Sequence, residues 1–303
     1  PACHDVYDRA REIFYTHFAH LFAEQGGPIH REEVPYADGV LPCWRIVPAD
    51  TSKGAILFHG GNDSLLEEFT DALLYLAQGG YTVLAFEGPG QGAALRKSGL
   101  TFTPEWEKPV GAVLDHYGAE DVTIIGVSLG GELCMRAAAM EPRIRRVVSW
   151  SVLPSIYGAL MADKPAEIRA KLEHWLDENN RDAILDLYAG LAEREPLFRW
   201  SIQHSNYAYG TSDVYEYLQK ARAFTIEPVA ERITQDVLLL SAREDLLVDF
   251  ALYKQEIDLL KNTRSLEFAA PGRALNGQAH CNMGNTKYML DLILNWNDRM
   301  LER

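Results

Sequence analysis

A chain of 303 residues with 47% hydrophobic content can bury a sizeable core, as one large domain or a domain with an insertion. Its formal net charge of −14 argues against nucleic acid and an anionic membrane surface as partners. No apolar run approaches transmembrane length, residues 1–24 are too polar for a signal peptide, and Cys3, Cys43, Cys134 and Cys281 show no paired spacing; the expectation is a cytoplasmic protein with reduced thiols and no zinc site.

Residues 3–24 are expected to form an amphipathic helix stopped by Gly26-Gly27. His17 and His20 stand three apart on it, but no carboxylate or third histidine is placed to complete a metal site, so they read as surface or packing residues. Two strands, about 29–36 and 40–47, flank the hairpin signal Ala37-Asp38-Gly39. A strand at 54–58 runs into His59-Gly60-Gly61-Asn62-Asp63, and a helix is expected over 65–78. The strand at 81–86 ends in Glu87-Gly-Pro-Gly-Gln-Gly92, whose spacing is not G-x-G-x-x-G; it reads as a tight loop rather than a dinucleotide site. A helix over 104–117 leads to a β-branched run from Val122 that reads as a buried strand, then a helix-forming run, 132–140, and a strand at 144–150.

Strand and helix alternating in this way imply a mostly parallel sheet covered on both faces. The rhythm breaks over 152–228, which is helix-like throughout, with candidate helices at 165–179, 181–193 and 212–224 and a high density of aromatics. It resumes with a strand at 236–241, a helix at 249–261, a strand at 265–269 and a last helix at 286–301. The expected organisation is a core of 1–151 and 229–303 with a helical cap, 152–228, inserted into it.

The strand that begins at Val122 ends at Gly126-Val-Ser-Leu-Gly130, ahead of the following helix. Gly-x-Ser-x-Gly in that context is a nucleophile elbow: the chain turns so sharply that the residues two before and two after the serine must be glycine. The turn presents the Ser128 hydroxyl at a helix N-terminus. A serine hydroxyl needs a base, and the base an orienting acid, at the carboxyl ends of later strands in the order Ser, acid, His. His280 follows the last strand and is the candidate base. Glu244, Asp245 and Asp249 compete as the acid; Asp245 is favoured, and Asp249 is expected to open the next helix as an N-cap. The Leu129 N–H is one expected oxyanion donor, and Gly61 or its neighbour Asn62 supplies the other. His59 is expected to hold that loop by hydrogen bonds.

These features together resemble the α/β-hydrolases over essentially the whole chain. Three further stretches are similar to the fermentation–respiration-switch-protein (FrsA-like) esterase group: Glu87–Gly92, Ala221-Arg-Ala-Phe-Thr-Ile226 and His280-Cys-Asn-Met-Gly-Asn285. That group includes 2,6-dihydropseudooxynicotine hydrolase and fungal polyketide-shortening hydrolases, and several members cleave carbon–carbon bonds beside a ketone. Relatives often carry a longer helical N-terminal region than the single helix expected here. The resemblance implies an α/β-hydrolase fold and acyl transfer to water through an acyl-enzyme, with no metal or organic cofactor. The expected substrate is a small, largely apolar carboxylic ester; the alternative is carbon–carbon hydrolysis of a β-diketone. A group binding the second carbonyl would then be needed, and Tyr157, Tyr207 and Tyr209 in the cap are candidates. An acyltransferase and a non-catalytic receptor are the readings from other classes; acceptor-dependent product formation and covalent labelling by a fluorophosphonate separate them. The oligomeric state is left open.

Overall fold

The structure, a computed structural model, describes residues 2–303, with side chains from His4 onward, so the expectation for Cys3 lies outside it. Its first helix, α1 (Ala2–His17), stops earlier than expected. Phe18 leaves helical geometry, and two short 3-10 turns, Ala19–Leu21 and Ala23–Gln25, carry the chain to Gly26 at φ 82°. Strands β1 (Ile29–Tyr36) and β2 (Gly39–Ile46) form the hairpin, paired antiparallel from Ile29–Ile46 to Tyr36–Gly39.

The alternating part follows as β3 (Ala55–His59), α2 (Thr70–Gln78), β4 (Thr82–Phe86), α3 (Gly92–Ser98), α4 (Glu107–Tyr117), β5 (Val122–Val127), α5 (Gly130–Ala138) and β6 (Ile144–Trp150). Helix α3 is a departure from the expected loop. It starts at a glycine with φ 36°, where an added Cβ would fall 1.9 Å from the Glu87 carboxyl, so only glycine can open it. Five helices then separate β6 from the next strand: α6 (Ile156–Ala162), α7 (Ala166–Asp177), α8 (Arg181–Arg194), α9 (Pro196–Tyr209) and α10 (Val214–Ala221). The chain closes with β7 (Asp236–Leu240), α11 (Leu252–Leu259), β8 (Ser265–Ala269) and α12 (Thr286–Leu301).

The eight strands form one sheet in the order β1-β2-β4-β3-β5-β6-β7-β8. From β4 to β8 every neighbouring pair is parallel; β2 joins β4 antiparallel. Apolar clusters cover both faces. One, with Trp106, Leu133 and Met135, lies under α3, α4, α5 and the insertion; the other, with Phe58, Leu73 and Trp296, lies under α2 and α12. All six residues of β5 are buried, as expected of a central parallel strand. Its carboxyl end, with those of β3, β7 and β8, brings together the loops described next.

Candidate active site

Ser128 follows β5 directly and has φ 61°, a left-handed conformation costly for a residue with a side chain. The surroundings impose it. The Ser128 N–H extends the ladder to the Trp150 carbonyl at 2.8 Å, and α5 begins two residues on. A Cβ on Gly126 would lie 1.9 Å from the Gly130 carbonyl oxygen, and one on Gly130 would lie 2.6 Å from the Gly60 oxygen. Both glycines of the motif are therefore fixed by backbone crowding.

The structure brings Ser128, His280 and Asp245 together. Ser128 Oγ is 2.9 Å from His280 Nε2, and His280 Nδ1 is 2.7 Å from Asp245 Oδ2. Asp245 lies in the loop after β7, with its side chain only 2% exposed. Its other oxygen, Oδ1, accepts the backbone N–H groups of Leu247 at 2.8 Å and Val248 at 3.1 Å. Burial works against its charge, but the bond from His280, the charge on that ring and the two N–H groups outweigh it and hold the carboxyl below its usual range. Burial likewise pulls His280 down, yet hydrogen bonds to Asp245 and Cys281 raise it well above an ordinary imidazole. Asp249 sits apart from the ring: its Oδ1 accepts the Ala251 N–H at 2.7 Å, capping a turn ahead of α11, which starts only at Leu252.

The loop carrying His280 is held by a residue that sequence reasoning missed. Asn282 is 1% exposed; its Nδ2 donates to the Ser241 and Gly277 carbonyls at 3.0 and 2.7 Å, and its Oδ1 accepts the Trp150 indole N–H at 3.1 Å. Cys281 and Asn282 both adopt positive φ, 51° and 54°. Asparagine tolerates that conformation and here ties the loop to the ends of β6 and β7. The only sequence signal was its place in the stretch 280–285.

Opposite the elbow, Gly61 closes on the serine: a Cβ there would lie 2.7 Å from Ser128 Cβ and 3.0 Å from the Leu129 nitrogen. The Gly61 N–H, however, donates to Ser64 Oγ at 2.9 Å. The Leu129 and Asn62 N–H groups have no acceptor among the described residues. His59 is fully buried, and burial lowers its ring to about 4, with the bond to Gly60 pushing the other way. The ring is therefore neutral: Nδ1 donates to the Gly60 carbonyl at 3.1 Å, and Nε2 accepts the Trp106 indole N–H at 3.2 Å. Gln91, 2% exposed, donates Nε2 to the Gly60 oxygen at 2.7 Å and the Gly61 oxygen at 3.0 Å. From the insertion, His204 Nε2 reaches the Asn62 carbonyl at 3.1 Å.

The three tyrosines considered for substrate lie elsewhere. Tyr157 packs under the Arg222 guanidinium, Tyr207 Oη pairs with His4 Nε2 at 3.1 Å, and Tyr209 is buried against Phe102, Tyr217 and Phe224. A cleft of about 620 Å³ runs between the insertion and the Asp245 loop, lined among others by Leu160, Tyr188, Phe198, Ile202, Tyr217 and Leu247.

Residues 56–276 match the family model for the alpha/beta hydrolase fold. The chain belongs to the α/β-hydrolase family. Among relatives of this chain are Hydrolase LUC6 of Fusarium sp (31% identical over 222 residues, 66% of this chain and 51% of the relative) and Hydrolyase ccsE of Aspergillus clavatus (31% over 256 residues, 74% and 56%). Hydrolase ORFZ of Pyricularia oryzae is 27% identical, with 94% of this chain and 71% of the relative covered. The chain thus spans about half the length of several relatives it matches. Its fold is shared with the 2,6-dihydroxy-pseudo-oxynicotine hydrolase (TM-score 0.66, 20% identity, 88% of this chain and 68% of that one). GrgF from Penicillium sp. sh18 is similar too, with TM-score 0.63 and 15% identity over 91% of this chain and 100% of that one. Among the described residues no helix is long and apolar enough to cross a membrane.

Proposed function

We propose that the hydrolase cleaves a small, largely apolar carboxylic ester through an acyl-enzyme on Ser128. The observation that carries this reading is the unbroken chain from Ser128 Oγ through His280 to a buried Asp245 at 2.9 and 2.7 Å, set on a strained elbow. As Ser128 Oγ attacks the carbonyl carbon, its proton passes to His280 Nε2 and the carbonyl electron pair moves onto oxygen. Asp245 keeps the proton on Nδ1 and stabilises the cationic ring. The Leu129 N–H and the Asn62 N–H receive the oxyanion, each worth about 3 kcal/mol in comparable sites. Asn62 is preferred to Gly61 because the Gly61 N–H already has Ser64 as its acceptor. Collapse of the tetrahedral species re-forms the carbonyl and expels an alkoxide, which takes the proton from His280; water then repeats the sequence on the acyl-enzyme.

Residues 152–228 act in this reading as a cap; the cleft along it reaches the Asp245 loop, with Ser128 and His280 outside its lining, and the aromatic residues of the cap suit a small aromatic or medium-length acyl group. The buried, unpaired Cys43, Cys134 and Cys281 support a cytoplasmic setting. The test is a fluorophosphonate probe with mass mapping, together with turnover of short-chain nitrophenyl esters. Labelling at Ser128 and loss of turnover by on the order of 10⁴ or more in Ser128→Ala are expected. An active Ser128→Ala protein sinks the reading.

Carbon–carbon hydrolysis of a β-diketone is the second reading, favoured by the resemblance of the stretches at 87–92 and 280–285 to the FrsA-like group. It uses the same attack but expels a carbanion, which leaves only as an enolate. A β-diketone efficiency far above that for any ester, on one preparation, would make it the first.

A further inference from the structure

The loop that supplies the second oxyanion donor contains adjacent glycines, so little in its own chain fixes its peptide planes. Each plane is instead fixed by an outside group. The oxygen of the Gly60–Gly61 unit accepts from His59 and Gln91, and its N–H goes to Ser64. The oxygen of the Asn62–Asp63 unit accepts from His204. Between them, the Gly61–Asn62 unit has its oxygen on Gln91 Nε2 at 3.0 Å and its N–H without an acceptor among the described residues.

In a trans peptide the C=O and N–H point in opposite directions. Anchoring the Gly61 oxygen on the Gln91 side therefore aims the Asn62 N–H the other way. We propose that Gln91 is the positioning residue for the oxyanion hole: it aims the Asn62 N–H by holding the oxygen of the same peptide unit. The inference rests on the serine-hydrolase reading of Ser128 and adds to it a residue from the stretch Glu87–Gly92 that the triad does not use.

The orientation of the Gln91 amide is settled by its partners. Its Oε1 accepts the Gly88 N–H at 2.9 Å, which requires oxygen at that position and leaves both Nε2 hydrogens for the two carbonyls. At 2% exposure no bulk water replaces either bond. A flip of the Gly61–Asn62 plane would turn a carbonyl oxygen toward the developing anion and strand a buried N–H of Gln91, an unfavourable change on both sides. Gln91 touches no reacting atom; it acts through the backbone.

The test uses Gln91→Met, which keeps chain length without hydrogen bonds, and Gln91→Glu, which keeps an acceptor for Gly88 but loses both amide donors. Rates on a nitrophenyl ester are normalised by fluorophosphonate titration of competent sites. The expected result is a kcat lowered about 10- to 100-fold in both variants, short of full donor loss, with KM nearly unchanged. The inhibition constant of a trifluoromethyl ketone, whose serine adduct carries an oxyanion, should rise in parallel. A full kcat per titrated site, or a lowered kcat with an unchanged inhibition constant, overturns the proposal. If neither variant folds, the wild-type enzyme supplies the answer: on adduct formation the Asn62 amide proton should move downfield in the NMR spectrum. Movement of the Gly61 amide instead refutes it. Absence of both adduct and fluorophosphonate labelling would fail the Ser128 reading and this inference with it, whereas labelled, fully active Gln91 variants fail this inference alone.

Discussion

Asp245→Asn tests the site most sharply, because the structure leaves the new amide one orientation. Asp245 Oδ1 accepts two backbone N–H groups, from Leu247 and Val248. An asparagine keeps its oxygen there, since turning the NH₂ toward two donors would set donor against donor and forfeit both bonds. The NH₂ then faces His280 Nδ1, which must become an acceptor, and the ring carries its proton on Nε2. That is the nitrogen that should receive the Ser128 proton, 2.9 Å away. The expected loss in kcat is about 10⁴, the size seen where such an exchange fixes the wrong tautomer. The pH profile adds a second reading. In the wild type His280 is raised above the ordinary imidazole value of about 6.5, and the proposed mechanism needs its neutral form. The ascending limb of kcat/KM should therefore lie on the alkaline side of that value, and the residual activity of the variant should rise at lower pH. Stability runs the opposite way: the charged His280–Asp245 pair contributes fully between the ordinary carboxylate range and the unfolded imidazole value, is lost as pH rises through the raised pKa of His280, and is lost in acid as Asp245 protonates. Stopped-flow ester hydrolysis across the pH range measures the loss in kcat and the position of the limb, and urea unfolding measures the stability. Asp249→Asn serves as comparison and should cost about 1 kcal/mol or less through the turn at Ala251, with kcat retained. A near-normal rate in Asp245→Asn, or an unmoved limb, would refute the assignment.

Gly126→Ala places a methyl group 1.9 Å from the Gly130 carbonyl oxygen; we expect a loss of roughly 3 kcal/mol or more in urea unfolding, or no soluble protein. Gly111→Ala, inside α4 with nothing nearer than 3.5 Å, should instead be neutral or add about 0.5–1 kcal/mol. Full burial keeps His59 neutral down to about 4, so its contribution, roughly 3 kcal/mol, is present above the unfolded value of about 6.5 and lost as pH falls through 4. Urea midpoints at pH 4.5 and 7 should differ more in the wild type than in a folded His59→Leu variant; equal differences would contradict this.

The elbow was legible because its constraint is local: a β-branched strand and two glycines specify the turn whatever packs around it. Asp245 and His280 were legible from order and place, since loops at the carboxyl ends of parallel strands converge. The engagement of the Gly61 N–H, on which the proposed preference for Asn62 rests, was not, because it depends on a hydroxyl three residues away. Helix α3 was hidden by a glycine start and a tight-turn sequence, α6 by its shortness, and α9 by a composition rich in aromatic and polar residues that carries little helix propensity. The cap tyrosines show the same boundary. Aromatic density marks an apolar layer, but the direction in which Tyr157, Tyr207 and Tyr209 point is set by partners distant in sequence, Arg222, His4 and Phe102.

The charge distribution around Ser128 explains why the supporting groups are of the kinds observed. The chain carries a net charge of −14, and a tetrahedral oxyanion adds another negative charge inside it. Any ionised carboxylate behind the oxyanion loop would oppose that charge in a low-dielectric setting. Both groups that hold the Gly60 carbonyl are accordingly neutral: Gln91, and His59 kept uncharged by burial. Glu87 stands in the same region, and burial together with Glu67 pushes its carboxyl up to about 7 against the N–H bonds from Ala93 and Leu66. Those two bonds spread whatever charge it carries over backbone dipoles. Asp245, by contrast, is held ionised, but on the far side of His280, where its charge favours the imidazolium that forms as the oxyanion does. In the proposed mechanism, neutral supports beneath the oxygen and one anion behind the base let both charges of the transition state develop together.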